Sequence, residues 1–363
     1  MSPMSPMSCQ QACTCVSLMR LLSLGAAIAL TGACASVNYY TQAASGQLAL
    51  VSGAIPIDQL IADAATDNKL RLRREKAREI RRFAVRGLGL PDNASYKNYS
   101  PLTRPYVLWN VVATPELSLK PVQSCFPVAG CVSYRGYYKR TDAQEYARQL
   151  RAAGNDVQVG GVTAYSTLGW FNDPIISTFI HSSDAELARL LFHELAHQVV
   201  YVAGDSRFNE SFASAVEEAG VQRWLAGHGD AAMRENYQQF AAHKHDFLAL
   251  LMTHRRALEQ NYGQPIGDAR KRESKARIFA ALKDDYQLLK AGWGGFAGYD
   301  RWFAEPLTNA HLAAVATYND FVPAFRALLA QEKSFPKFYR AVRELAQLER
   351  AERDRRLTLL SKP

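Results

Sequence analysis

The sequence predicts an α+β protein with a small central sheet and a mainly helical C-terminal half. Two observations predict it. Runs rich in β-branched and aromatic residues are confined to the middle of the chain, between Tyr106 and Trp170. Helical spacing of apolar residues fills much of the stretch before them and nearly everything after Ser182, with no internal repeat. The composition of the 363 residues, 48% apolar and 21% charged, excludes a collagen-like, low-complexity or largely disordered chain. Such a length buries a substantial core without metal or disulfide staples. A formal charge of +9 makes a basic surface. No nucleic-acid-binding motif accompanies it, so nucleic acid is not an expected partner.

Taken in order, the first informative segment is Arg20, the apolar run Leu21 to Ala33, and Cys34. A positive residue, a short apolar run and a small-residue cleavage site make a secretory signal over residues 1–33. The run is too short for a membrane span, which needs about 20 residues. Leu30-Thr31-Gly32-Ala33-Cys34 resembles a bacterial lipoprotein box, which implies a lipid anchor on Cys34 and a place in the cell envelope. By resemblance to enterobacterial sorting rules, Ala35 after the lipidated position implies the outer membrane. The uncharged stretch before Met19 reads as an upstream overrun, with Met19 as the start. Cys125 and Cys131 are then the only cysteines beyond the anchor. In an oxidising periplasm the pair is expected as a small-loop disulfide, two free thiols being the alternative.

Residues 34–105 form an N-terminal helical segment: Tyr39 to Val51, Ile57 to Ala65, and the basic amphipathic stretch Asn68 to Arg86, stopped by Gly87, Gly89 and Pro91. That stretch is expected as a solvated face, or as one resting on anionic headgroups. Residues 106–225 form the catalytic core. Its strands are Tyr106 to Val112, Cys131 to Tyr138 and Val157 to Trp170, with a helix from Thr141 to Ala153 begun by a Thr-Asp cap. Residues 226–363 form a helical C-terminal part, broken at Gly227 to Gly229, Gly263 to Gly267, Gly292 to Gly298 and Pro306.

One motif carries chemistry: His193-Glu194-Leu195-Ala196-His197, in the helical run Asp184 to Val202 with Ser182 or Ser183 as cap. Residues four apart share a helix face, so both imidazoles can meet one ion, with Glu194 beside it to deprotonate water. Two imidazoles, a carboxylate and an open position suit one zinc ion. Ala203-Gly204-Asp205 lets the chain reverse into a second helix that starts near Phe208-Asn209-Glu210-Ser211-Phe212-Ala213. HExxH followed by an NExxA segment resembles the gluzincin zinc peptidases. The resemblance assigns His193, His197 and Glu210 as ligands and Glu194 as general base, on a zincin-like helix pair. Glu217, two turns after Glu210, is either the third ligand instead or a partner of a ligand imidazole. Tyrosine often stabilises the oxyanion in gluzincins, which makes Tyr318 the candidate; a Tyr packed with its hydroxyl at the surface is the alternative. Ala164 to Trp170 reads as the cleft-edge strand, with Tyr165, Ser166 and Thr167 facing an extended peptide and Gly169 permitting close approach. A plain core strand is the alternative there. His181, His243, His245 and His254 do not share the ligand spacing.

Segments along the chain are similar to a family of bacterial predicted aminopeptidases, mostly lipoproteins: YYTQAASGQL, LGLPDNASYKNYS, VLWNVVATPELSL, SCFPVAGCVSYRGYY, AYSTLGWFNDPI, FHELAHQ, FNESFAS and NAHLAAVATYNDFVPAF. The resemblance implies release of N-terminal residues from peptides, with Glu217, Glu218 and Asp173 available to hold the substrate ammonium. The competing functions are an envelope endopeptidase acting on proteins or cell-wall peptides, and a non-catalytic zinc-containing envelope protein. Glu194 argues against the last, because a structural site needs no base.

Overall fold

A computed structural model describes residues 38–126 and 130–361. Cys34, the leader and both candidate start positions lie outside the described residues. The chain divides into two compact units, one ending at Ala49 and the other running from Leu50 to Pro363. Helix α1 covers residues 38–52. The second unit continues β1(Ile55–Pro56), α2(Ile57–Ala62), α3(Asn68–Leu88), β2(Asn98–Ser100), β3(Leu108–Pro115), β4(Ser124–Phe126), β5(Gly130–Val132), β6(Arg135–Tyr137), α4(Arg140–Ala152), β7(Asn155–Val162), β8(Ile175–Ile176) and α5(Ser177–Ile180). Helices α6(Asp184–Ala196) and α7(Ser206–His228) follow, then α8(Ala231–Gly263), α9(Asp268–Gly292), α10(Asp300–Phe303), α11(Asn309–Asn319), α12(Val322–Glu332), α13(Phe335–Ala346) and α14(Arg350–Leu360). The fold is α+β with a helical C-terminal half, as the sequence predicts. The strands form three small sheets among the described residues, ordered β1-β2-β8, β6-β3-β7 and β4-β5. In the second sheet β3 lies between two antiparallel neighbours, Trp109 pairing with Tyr137 on one side and Gly161 on the other.

The main core joins α3, α6, α7, α12 and α13, through Ile80, Leu191, Phe192, Phe212, Phe325 and Phe338, all essentially inaccessible to solvent. Gly220 lets these helices approach: a Cβ there would lie 2.8 Å from Leu88 and 2.8 Å from Phe192. A second cluster packs Leu251 of α8 and Leu282 of α9 against Leu312 of α11 and Leu119.

Three local expectations are corrected. The basic stretch of α3 is not simply a solvated face, because Arg73, Arg74 and Arg81 act as fastenings. Arg81 donates to the Ser95 and Pro91 carbonyls at 2.9 and 2.8 Å, and Arg74 lies 4.5 Å from the Tyr99 ring centre. Arg73 holds the Ile180 and Ser182 carbonyls and Asp184, which ties the start of α6 to α3. The expected Thr-Asp cap of α4 is absent, since Thr141 Oγ1 bonds Asp142 Oδ1 and the helix begins after Lys139. The third concerns Ala164 to Trp170, which is no strand: β7 stops at Val162 and the chain turns. Asp173, 1% exposed, accepts the Thr167 amide at 2.7 Å and its hydroxyl at 2.8 Å, occupying groups a ladder would need. Leu168 and Gly169 take positive φ of 58° and 84°. Tyr165, Ser166, Thr167 and Gly169 therefore form a pinned loop that offers no ladder to an added strand.

Helix α11 begins with a reciprocal cap. Thr308 N donates to His311 Nδ1 at 3.1 Å, a bond only unprotonated imidazole accepts. Burial pushes His311 down to about 4, and the Arg151 guanidinium adds to the effect. The unfolded imidazole titrates near 6.5, so between these values the unfolded chain binds more protons. Stability from this group is complete above about pH 6.5 and lost as pH falls to about 4, on the order of 3 kcal/mol. His311→Gln keeps a capping side chain without titrating. Urea unfolding at pH 7.5 and pH 5 is expected to show wild type losing more stability than His311→Gln. Equal losses would refute the assignment.

Candidate metal centre

The site is built where α6 ends and α7 begins. Ser183 caps α6 by accepting the Glu186 amide, and Asp184 and Glu186 suit the positive end of the helix dipole. Helix α6 ends at Ala196, earlier than the expected Val202. His197 is its C-cap, yet it keeps α-helical angles (φ −58°, ψ −22°), so the four-residue spacing of the imidazoles survives. The backbone beyond is captured from the next helix. Asn209 accepts the Val202 amide and donates to the Val202 carbonyl, both at 2.8 Å, which closes the turn. Gly204 supports that reversal with φ of +81°. Asp205 caps α7 by accepting the Phe208 amide, and it is itself held by buried Arg353 of α14 at 2.7 Å. Asn209 thus has a structural reason to precede Glu210.

These elements bring His193, His197 and Glu210 together, all buried, with one ligand atom from each within 4.8 Å of the others. His193 Nε2 lies 3.2 Å from Glu210 Oε2 and 3.2 Å from His197 Nε2; His197 Nε2 lies 3.5 Å from Glu210 Oε2. Zinc bonds to nitrogen and oxygen of about 2.1 Å in a tetrahedron imply ligand–ligand edges of about 3.4 Å, so the set fits such an ion. Three potential donor atoms converge here, a set that could hold a cation. Nδ1 of His197 is buried without a hydrogen-bond partner, and it takes the ring proton when Nε2 binds a cation.

Glu217 meets the other ring nitrogen of His193: its Oε2 accepts from Nδ1 at 2.9 Å. Burial works against both carboxylate charges. Even so, His197 and His193 hold Glu210 down at about 2, and Arg189 followed by His193 holds Glu217 well below the usual carboxylate range. Burial also opposes charge on His193, but Glu210 and Glu217 outweigh it and push it up to about 10. The two carboxylates thus favour positive charge at this point of the site. Glu194 is 7% exposed, and burial raises its carboxyl above the ordinary value while the two imidazoles pull the other way.

Tyr318 comes in from α11. Its ring stacks on His193 at 6.4 Å and 25°, and the nearby Ser211 hydroxyl accepts the Phe321 amide. The Glu210 charge, then burial, pushes the phenol well above its usual range, so it remains a hydrogen-bond donor. The loop at 164–170 approaches the residue after His197, for a Cβ on Gly169 would lie 3.8 Å from the Gln198 side chain. Cys125 and Cys131 are disulfide-bonded across the β4–β5 hairpin. The sequence reading missed Arg189, which bonds Glu217, and Tyr201, whose phenol is raised by burial and by the Glu210 charge. No spacing signal marked either residue. Of the acids offered for a substrate ammonium, Glu217 pairs with Arg189 and His193, and Glu218 with Arg326 and Lys244. Asp173 accepts from Thr167.

An α+β fold that converges two imidazoles and a carboxylate beside a buried second carboxylate defines a candidate metal centre with a base at hand. The chain belongs to the family described as "Putative aminopeptidase", whose model matches residues 38–357. No curated protein and no solved structure matches it.

Proposed function

We propose that the protein is a zinc-dependent peptidase of the bacterial envelope that releases N-terminal residues from peptides. The family supports a peptidase, and the convergence of His193, His197 and Glu210 carries the metal reading. One zinc ion on these three residues would acidify water and polarise the scissile carbonyl. Glu194, made a better proton acceptor by its burial, takes the proton of the attacking water and passes it to the leaving amine. Tyr318, still protonated, donates to the developing oxyanion. Glu217 holds His193 in one tautomer and orientation. The envelope reading rests on the leader and on lipidation of Cys34. No described helix is long and apolar enough to cross a membrane.

A second reading, an endopeptidase acting on envelope proteins or cell-wall peptides, is favoured by one observation. Glu217 and Glu218 are already neutralised by cations, and Asp173 is engaged by its own loop. Purified protein is expected to contain about one zinc per chain and to hydrolyse aminoacyl-anilides faster than N-blocked peptides. Equal cleavage of blocked substrates would reject exopeptidase action in favour of the second reading. A zinc-loaded protein that cleaves neither would leave a non-catalytic role.

A further inference from the structure

We propose that Arg189 is a positioning residue of the metal centre: it braces Glu217 so that the carboxylate turns and holds the His193 ring. The inference rests on the reading that the cluster binds a metal. Arg189 and His193 lie one turn apart on α6 and bond the same oxygen, Glu217 Oε2, at 2.8 and 2.9 Å. Glu217 belongs to α7, so a single carboxylate oxygen clasps the two ligand-bearing helices. Its side chain is 2% exposed, and a carboxylate so buried needs a close, hydrogen-bonded counter-charge on the oxygen that His193 shares. Arg189 supplies it and is itself aimed by Glu186, whose two oxygens accept from its Nε and Nη2 at 2.7 Å each.

The geometry also says what happens without it. Lys244 already pairs with the other oxygen, Glu217 Oε1, at 3.5 Å. Once Arg189 is gone, the carboxylate swings toward that ammonium and withdraws from His193 Nδ1, leaving the ring free to rotate off the ion. Arg189, Glu217 and Lys244 also line a cavity of about 250 Å³ with Tyr237, Met252 and Arg326. A small planar cation can therefore reach the place a truncated Arg189 vacates.

Zinc affinity, read by competition with a coloured chelator, tests this without reference to activity. Wild type that binds no zinc would defeat the metal reading itself. With wild type binding, Arg189→Ala is expected to lose about 10- to 100-fold in affinity, the range for removing an outer partner of a ligand. Arg189→Lys should recover part of the loss, and millimolar guanidinium should restore Arg189→Ala where equal sodium chloride does not. Arg326→Ala, which removes a cation of the same cavity bonded to Glu218 instead, should bind zinc as wild type does. Wild-type affinity in Arg189→Ala would overturn the proposal, as would a loss that neither lysine nor guanidinium relieves. Should Arg189→Ala fail to fold, Arg189→Met keeps the packing of the stem and is judged by its zinc affinity and by the recovery in Arg189→Lys: wild-type affinity in Arg189→Met, or no recovery in Arg189→Lys, would overturn the proposal.

Discussion

Glu194→Gln is expected to lower kcat by about 10³-fold, within the range that general acid–base groups contribute, while zinc content stays at the wild-type level. The substitution keeps shape and volume in a site where Glu194 is only 7% exposed, but the amide cannot accept a proton. Glu194 is outside the His193, His197 and Glu210 set, so the variant separates proton transfer from metal holding. Steady-state rates on an aminoacyl-anilide, together with metal analysis of the same preparation, decide the matter. Activity unchanged in Glu194→Gln would reject the mechanism outright.

The second large effect is on the metal. Glu210→Gln replaces a charged oxygen held at about 2 by its imidazole neighbours with a neutral one. Its zinc affinity should fall by more than the roughly 100-fold that loss of an outer partner costs. A chelator should abolish wild-type activity, and added zinc should restore it. Zinc at 100 times its dissociation constant adds about 2.7 kcal/mol to the wild-type fold. Wild type should therefore melt several degrees higher with zinc, and Glu210→Gln should not. A zinc-induced rise in Tm that survives in Glu210→Gln would remove Glu210 from the ligand set.

The helix spacing of His193 and His197 and the short turn before a second helix were legible because they are local. Four residues along a helix always share a face, and a Gly-Asp turn followed by apolar spacing reads as a reversal. The C-terminal breaks at Gly229, Gly263 to Gly267 and Gly292 were legible for the same reason, being written in conformational preference. Where local preference misled, a particular side-chain bond had intervened. Ala164 to Trp170 has strand composition, yet the Asp173 carboxylate takes the Thr167 amide and hydroxyl, and the segment turns instead. Arginines 73, 74 and 81 read as solvated by composition, yet carbonyl groups and a tyrosine ring from other segments fasten them.

The sequence by itself determined the α+β class and the presence of a two-imidazole motif on one helix face with Glu194 beside it. Tertiary structure alone separates the placements of Glu210 and Glu217, and it groups Glu210 with the two imidazoles. Both lie on one stripe of α7, and only the packing of that helix on α6 sets which carboxylate meets Nε2 and which meets Nδ1 of His193. Periodicity states which residues share a face; the depth and rotation at which two faces meet depend on contacts such as Gly220 against Phe192 and Arg353 against Asp205, which join positions far apart in the chain.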